Sequence, residues 1–159
     1  MTVMLRGFYR RRLPHLQRDY KPHFVTFCTY QRRILPELAR DIVMECCLHD
    51  HEVAMTLHAC VVMPDHVHLI FTPRVDEERG EIFSLARIMD AIKGASAHKI
   101  NKALGRQGRV WQTESFDRVL RSSESLDAKI AYVLANPVRA GLVSVPAEYR
   151  WLWKKGGVK

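Results

Sequence analysis

Two strand-like runs, HEVAMTLHACVVM and HVHLIFTP, meet across Pro64-Asp65, a turn signal that leaves only a hairpin-like connection between them. Helical sequence brackets this pair. Upstream, Pro36 opens a stretch with Leu38, Ile42, Val43 and Cys46 or Cys47 spaced for one buried face. Downstream, after the charged loop RVDEERGE, FSLARIMDAIKGASAHKINKAL reads as a long helix with Leu85, Ile88 or Met89, and Ile92 inward, although Gly94 weakens its middle. A further strand precedes the first helix (HFVTFCTY), and VWQTESFDRVL contains a fourth. A last helix, SSESLDAKIAYVLANP, starts at serines ahead of Glu124 and is expected to end at Pro137. The order is β-α-β-β-α-β-α. Its first six elements match the split βαβ motif, an α+β arrangement with an antiparallel sheet and helices on one face.

A chain of 159 residues suits one hydrophobic core. The expected division is a basic N-terminal arm over residues 1–20, a single domain over 21–150 and a short basic tail over 151–159. The 25 Lys and Arg against 17 Asp and Glu leave a net charge of +8, which favours a polyanionic partner such as nucleic acid or an acidic membrane. Cys28, Cys46, Cys47 and Cys60 form no C-x-x-C pair, so neither a zinc knuckle nor a redox motif is signalled. Reduced thiols, no apolar leader and no membrane-length apolar run point to a soluble protein of the cytoplasm.

The densest chemical signal is His66-Val67-His68. Strand side chains alternate, so both imidazoles point to one face, roughly 6.5 Å apart along the strand, and could hold one metal ion. Val67 and Leu69 point to the other face, toward the core. A histidine pair in a strand is also ordinary packing or surface chemistry. His23, His49, His51, His58 and His98 are read as non-ligands, with His51 and His58 near enough in sequence pattern to support the pair from behind.

The second signal lies on the last helix. At about 100° per residue, Leu126, Ile130, Val133 and Leu134 form the apolar arc, while Tyr132 and Asn136 share a different face with Ser125 and Lys129. A tyrosine at the edge of a core is the plain alternative. A tyrosine hydroxyl, with a pKa of about 10, is a weak nucleophile near neutrality. It attacks a phosphodiester usefully when a cation polarises the phosphate. Asn136 offers an amide oxygen as a third ligand beside the two imidazoles.

The segments FVTFCTYQRR, VVMPDHVHLIF, IKGASAHKIN, VWQTESFDRVLR and IAYVLANPVRAGLV resemble, in this order from about Thr26 to Val143, the single-tyrosine HUH transposases of bacteria. The chain is most similar to their REP-associated branch, also called IS200-like transposases. That resemblance implies a ferredoxin-like α+β domain with the histidine pair on a central strand and a C-terminal helix carrying the tyrosine. It implies His66 and His68 as metal ligands, Tyr132 as nucleophile and Asn136 as a further ligand. The implied metal is Mg²⁺ or Mn²⁺, a choice the imidazoles alone do not make, since they also suit zinc. The implied reaction is cleavage of single-stranded DNA through a 5′-phosphotyrosine link with a free 3′-hydroxyl, and religation by the reverse step. The implied setting is bacterial and nucleoid-associated, and the implied substrate carries imperfect hairpins of short palindromic repeats.

Candidate phosphate contacts are Arg10, Arg11, Arg12, Arg32, Arg33, Lys93, Lys99, Arg118, Arg121, Lys129 and Arg139, with Lys102, Arg106, Arg109, Lys154 and Lys155 behind them. Phe8, Tyr9, Trp151 and Trp153 are candidates to stack on unpaired bases, whereas Trp111 is expected in the core. A monomer is favoured over a homodimer because the loop before the tyrosine helix, Arg121 to Glu124, is short. Two other classes remain open at this level: a hairpin-binding module without turnover, and an unrelated metal hydrolase in which Tyr132 is structural.

Overall fold

A computed structural model describes residues 20–158. Arg10, Arg11, Arg12, Phe8 and Tyr9, and with them the reading of an arm, lie outside the described residues. The chain runs β1 (His23–Cys28), α1 (Glu37–His49), β2 (Met55–Val62), β3 (His66–Pro73), a small hairpin of β4 (Val75–Asp76) and β5 (Glu81–Ile82), α2 (Leu85–Leu104), β6 (Phe116–Val119), α3 (Ser123–Arg139) and β7 (Leu152–Lys154). The main sheet has the order β6-β1-β3-β2-β7, every neighbouring pair antiparallel. The first four strands of that order are the split βαβ arrangement: β1 and β2 run the same way and β3 lies between them.

Period-2 alternation divides the sheet into two faces with different tasks. Val25 and Phe27 of β1, Cys60 and Val62 of β2, and Val67, Leu69 and Phe71 of β3 share one face and are fully buried or nearly so. α1 and α2 cover this face. The Cys47 thiol of α1 is fully buried, and its interaction with Cys60 first, then burial, raises it well above its ordinary pKa. The opposite face carries Phe24, Thr26, His66, His68 and Ile70, and α3 packs there. The helices of the split βαβ unit therefore do sit on one face, and the tyrosine helix takes the other.

Three readings of the sequence are corrected. α3 does not stop at Pro137 but continues to Arg139. The proline falls in the last turn, where its missing N–H frees only the Val133 carbonyl, and Ala140 N–H still closes on Asn136 O at 3.0 Å. The segment expected to be a tail supplies β7, which pairs with β2 through Val61↔Leu152, Cys60↔Trp153 and Ala59↔Lys154. Trp151 is buried, donates its indole N–H to Asp41 Oδ1 at 2.8 Å and lies 4.1 Å from the Arg40 guanidinium, so it serves packing and not base stacking. The long helix expected through Gly94 is present as α2, continuous for 20 residues behind a Ser84 cap that accepts from Arg87 N–H.

Trp111 is in the core as expected, edge-on to Phe27 at 4.8 Å. Its indole N–H donates to Ser96 Oγ at 2.9 Å, and Ser96, itself fully buried, donates to Ile92 O. Ser96→Ala strands that indole N–H without an acceptor. The expected cost is about 1–3 kcal/mol, read as a lower urea midpoint at unchanged m-value. Trp111→Phe in the Ser96→Ala background should recover part of it, and independent additive losses would show that the bond contributes nothing. Among the described residues, no helix is long and apolar enough to cross a membrane.

Candidate active site

β3 opens with the two histidines, and the β1–β3 register places Cys28 opposite His66 and Thr26 opposite His68. The two imidazole centroids are 4.8 Å apart with planes at 73°. Each ring is held through its Nδ1. His68 Nδ1 lies 2.7 Å from Thr26 Oγ1, and His66 Nδ1 lies 2.8 Å from Asp65 Oδ1. A carboxylate can only accept, so His66 donates from Nδ1, which leaves Nε2 as the nitrogen a ligand could meet. Burial raises the Asp65 carboxyl, but the His66 hydrogen bond and the charge and hydrogen bond of Arg32 outweigh it and leave Asp65 below its ordinary range.

Arg32 reaches Asp65 by an unusual backbone route. Gln31 and Arg32 both adopt left-handed φ, at 55° and 53°, a conformation that costs non-glycine residues about 1–3 kcal/mol each. The turn brings the Arg32 guanidinium over Cys28 Sγ at 2.9 Å and onto Asp65 Oδ2 at 3.0 Å. Arg32, expected as a DNA contact, is thus tied to the carboxylate that orients His66, with its side chain still half exposed.

α3 brings Tyr132 to this face. Its ring lies 5.9 Å from that of His68 and 6.1 Å from that of Phe24, which in turn stacks on His68 at 5.3 Å. Lys129 Nζ stands 4.9 Å from the Tyr132 ring centroid and the Arg139 guanidinium 4.2 Å. Arg139 also donates to Tyr132 O at 3.2 Å. Tyr132 is nevertheless 42% exposed, open to a large substrate, whereas Asn136, one turn on, is buried. Residues separated by 64 positions in sequence, His68 and Tyr132, thus meet within one chain.

His68 is held neutral. Burial first, then the positive surroundings of His66, Arg139 and Lys129, push its pKa down to about 3. Unfolded, an imidazole titrates near 6.5. Between those values the unfolded chain binds a proton that the native chain refuses, so this stability is complete above about pH 6.5 and lost as pH falls toward 3. Metal-free protein is expected to lose about 2 kcal/mol between pH 7 and pH 5 through this group. His68→Gln should flatten that slope in urea unfolding, and parallel profiles would refute the assignment.

The remaining predicted residues divide by position. Lys129 and Arg139 join the site, and Arg118 sits opposite Phe24 in the β1–β6 register. Lys93 belongs elsewhere: its Nζ donates to Gln112 O, Thr113 O and Ser115 Oγ, and burial lowers its pKa. Lys99 faces the α1 side, near enough to Cys46 to oppose the rise that burial imposes on that thiol. Arg33 and Arg109 flank the Tyr30 ring at 5.6 and 5.7 Å, and Arg121 is exposed ahead of α3. His51 accepts from Leu57 N–H and His58 pairs with Thr72, so neither backs the histidine pair. Thr26, Phe24 and Asp65 were not singled out from sequence. Only Asp65 had a signal, its place directly before His66, and it read as a turn residue.

The donor set fits a hard or borderline divalent ion in part. The His66 and His68 imidazoles, with the Asn136 amide, would offer three donors, and among the described residues no group of three or more His, Cys, Asp or Glu side chains is placed to hold a metal. A six-coordinate ion here would take its other ligands from water or a substrate oxygen, as an open catalytic shell does.

The fold has solved counterparts. A REP-associated tyrosine transposase, solved bound to a REP hairpin, aligns at TM-score 0.66 and 18% identity over 84% of this chain and 76% of its own. A protein of Deinococcus radiodurans R1, provisionally described as a transposase, aligns at TM-score 0.51 and 24% identity over 74% of this chain and 91% of its own. A bacterial tRNA(His) guanylyltransferase-like protein in complex with GTP aligns at TM-score 0.53 and 12% identity over 91% of this chain and 76% of its own. At such identities these likenesses speak to fold alone. No curated protein sequence matches significantly. The family model described as "Transposase IS200 like" matches residues 17–134, which include the histidine strand and Tyr132, and the chain belongs to the IS200-like transposase family.

Proposed function

We propose that this protein cleaves and rejoins single-stranded DNA beside a hairpin, with Tyr132 as the nucleophile and with His66, His68 and Asn136 holding Mg²⁺ or Mn²⁺. The observation that carries the reading is the meeting of Tyr132 with His68 at 5.9 Å, with the tyrosine half open to solvent and two cations against its ring. A structural tyrosine has no need of such surroundings.

Tyr132 Oη forms the new bond to phosphorus and the bond from phosphorus to the 3′-oxygen breaks. The products are a 5′-phosphotyrosine and a free 3′-hydroxyl, which takes up a proton as the tyrosine loses one. One ester replaces another, so rejoining is the same step reversed and needs no nucleotide cofactor. A bound divalent ion would supply Lewis-acid polarisation of the phosphodiester. Lys129 and Arg139 bring positive charge to the place where the phosphate must lie. Because α3 reaches the histidines of its own chain, one protomer suffices, which supports action as a monomer. Hairpin recognition is proposed from the fold neighbour that was solved with a REP hairpin.

The test is a denaturing gel of protein incubated with Mn²⁺ and labelled single-stranded DNA bearing hairpins from the host's repeats. A metal-dependent protein–DNA adduct is expected. Tight hairpin binding with no adduct under any divalent ion would replace this reading with that of a recognition module.

A further inference from the structure

On the sheet face that carries the histidines, a large apolar side chain, Phe116, stands in solvent and reaches Tyr132 only through Phe24. β6 is an edge strand, and its register with β1 sets Phe116 opposite Thr26 and Arg118 opposite Phe24. Both partners belong to the site: Thr26 holds His68 Nδ1 and Phe24 stacks on the His68 ring. Phe116 extends this row, edge-on to Phe24 at 6.4 Å, and is 59% exposed.

Single exposed apolar residues are common and by themselves signify nothing. Phe116 differs in three respects. It ends an aromatic row that runs through Phe24 to Tyr132. Cations flank that row, with Lys129 Nζ 4.8 Å from the Phe24 ring and exposed Arg118 two residues along the same strand face. Its approach is also fixed, because Lys93 Nζ gathers Gln112 O, Thr113 O and Ser115 Oγ in the segment that leads directly into β6. An aromatic face held in water beside cations suits an unpaired nucleobase followed by its phosphate.

We propose that Phe116 is the stacking platform for an unpaired base next to the phosphate that Tyr132 attacks, with Arg118 contacting the adjoining phosphate. The inference rests on the reading of Tyr132 given above and adds where the single strand lies: along the β6 edge, outward from α3. A paired base inside a hairpin stem does not offer its face, so the platform acts only on the unpaired flank. It favours no particular base, since every base has a π-face.

The experiment uses the full chain in EDTA, so that DNA remains uncut, with hairpins whose unpaired flank carries 2-aminopurine at one position at a time. Stacking should quench fluorescence several-fold at one flank position. Phe116→Leu, which keeps apolar packing without a π-face, should abolish that quench and weaken binding of flanked hairpin by about tenfold. Phe116→Trp should restore both, with melting temperatures of all three proteins alike. A hairpin lacking the flank should bind wild type and Phe116→Leu equally. The proposal is overturned if no position is quenched, if Phe116→Leu binds flanked DNA like wild type, or if the loss is the same without the flank. It is also overturned if light scattering shows that Phe116→Leu dissolves a dimer, which would make the β6 edge an interface between copies. A Phe116-dependent quench in a protein that forms no adduct with Mn²⁺ leaves the platform standing and defeats the nuclease reading alone.

Discussion

Tyr132→Phe is expected to lower cleavage of hairpin-bearing single-stranded DNA by about 10⁴-fold or more and to abolish the covalent adduct. The substitution removes one oxygen and little else. The phenyl ring can keep its edge contacts with Phe24 and His68 and its place between Lys129 and Arg139. Tyr132 is 42% exposed, so the change in folding stability should stay within about 0.5 kcal/mol. Hairpin affinity should remain within about twofold, because the cations proposed to meet phosphate are untouched. This separation of chemistry from binding is what makes the result decisive. An adduct that persists would move the nucleophile to another residue. Cleavage that persists without an adduct would make the protein a metal hydrolase with Tyr132 as a wall of its site.

The parts of this site that were legible in the sequence are those governed by local periodicity. Alternation along HVHLIF fixes His66 and His68 on one face with Val67 and Leu69 on the other, and the structure keeps that division. The helical wheel separates Tyr132 from Val133, and the two are indeed exposed and buried respectively. The element order sufficed for the split βαβ architecture because connection rules leave few alternatives. What was illegible depends on partners distant in sequence. Nothing in LWK announces that β2 would accept a further neighbour on its free edge, so β7 read as tail. Pro137 is a general stop signal, yet in the last turn of α3 it forfeits a single bond. Arg32 looked like any exposed cation. Its commitment to Asp65 follows from two successive left-handed residues, a conformation that neither Gln31 nor Arg32 advertises.

His66→Ala provides the second large effect, and it tests the metal without disturbing the core. His68 is a poor place to ask the question, because it is 7% exposed between Phe24 and Tyr132, and truncation there opens a cavity as well as removing a ligand. The His66 side chain retains 20% exposure at the start of β3, where a missing ring is filled by water. If the two imidazoles share an ion, His66→Ala should weaken Mn²⁺ binding by more than about 100-fold in calorimetric titration and lower cleavage by about 10³-fold, with hairpin affinity measured in EDTA unchanged. Asp65→Asn should fall between the two states. Its amide oxygen can still accept from His66 Nδ1, but the negative charge that holds the ring in place and pairs with Arg32 is gone. A loss of about tenfold in Mn²⁺ affinity is expected. Equal Mn²⁺ affinity in wild type and His66→Ala would remove the histidine pair from metal binding. The neutral state of His68 would then be a consequence of packing under α3, and the cations on Tyr132 would have to stabilise the attacked phosphate unaided.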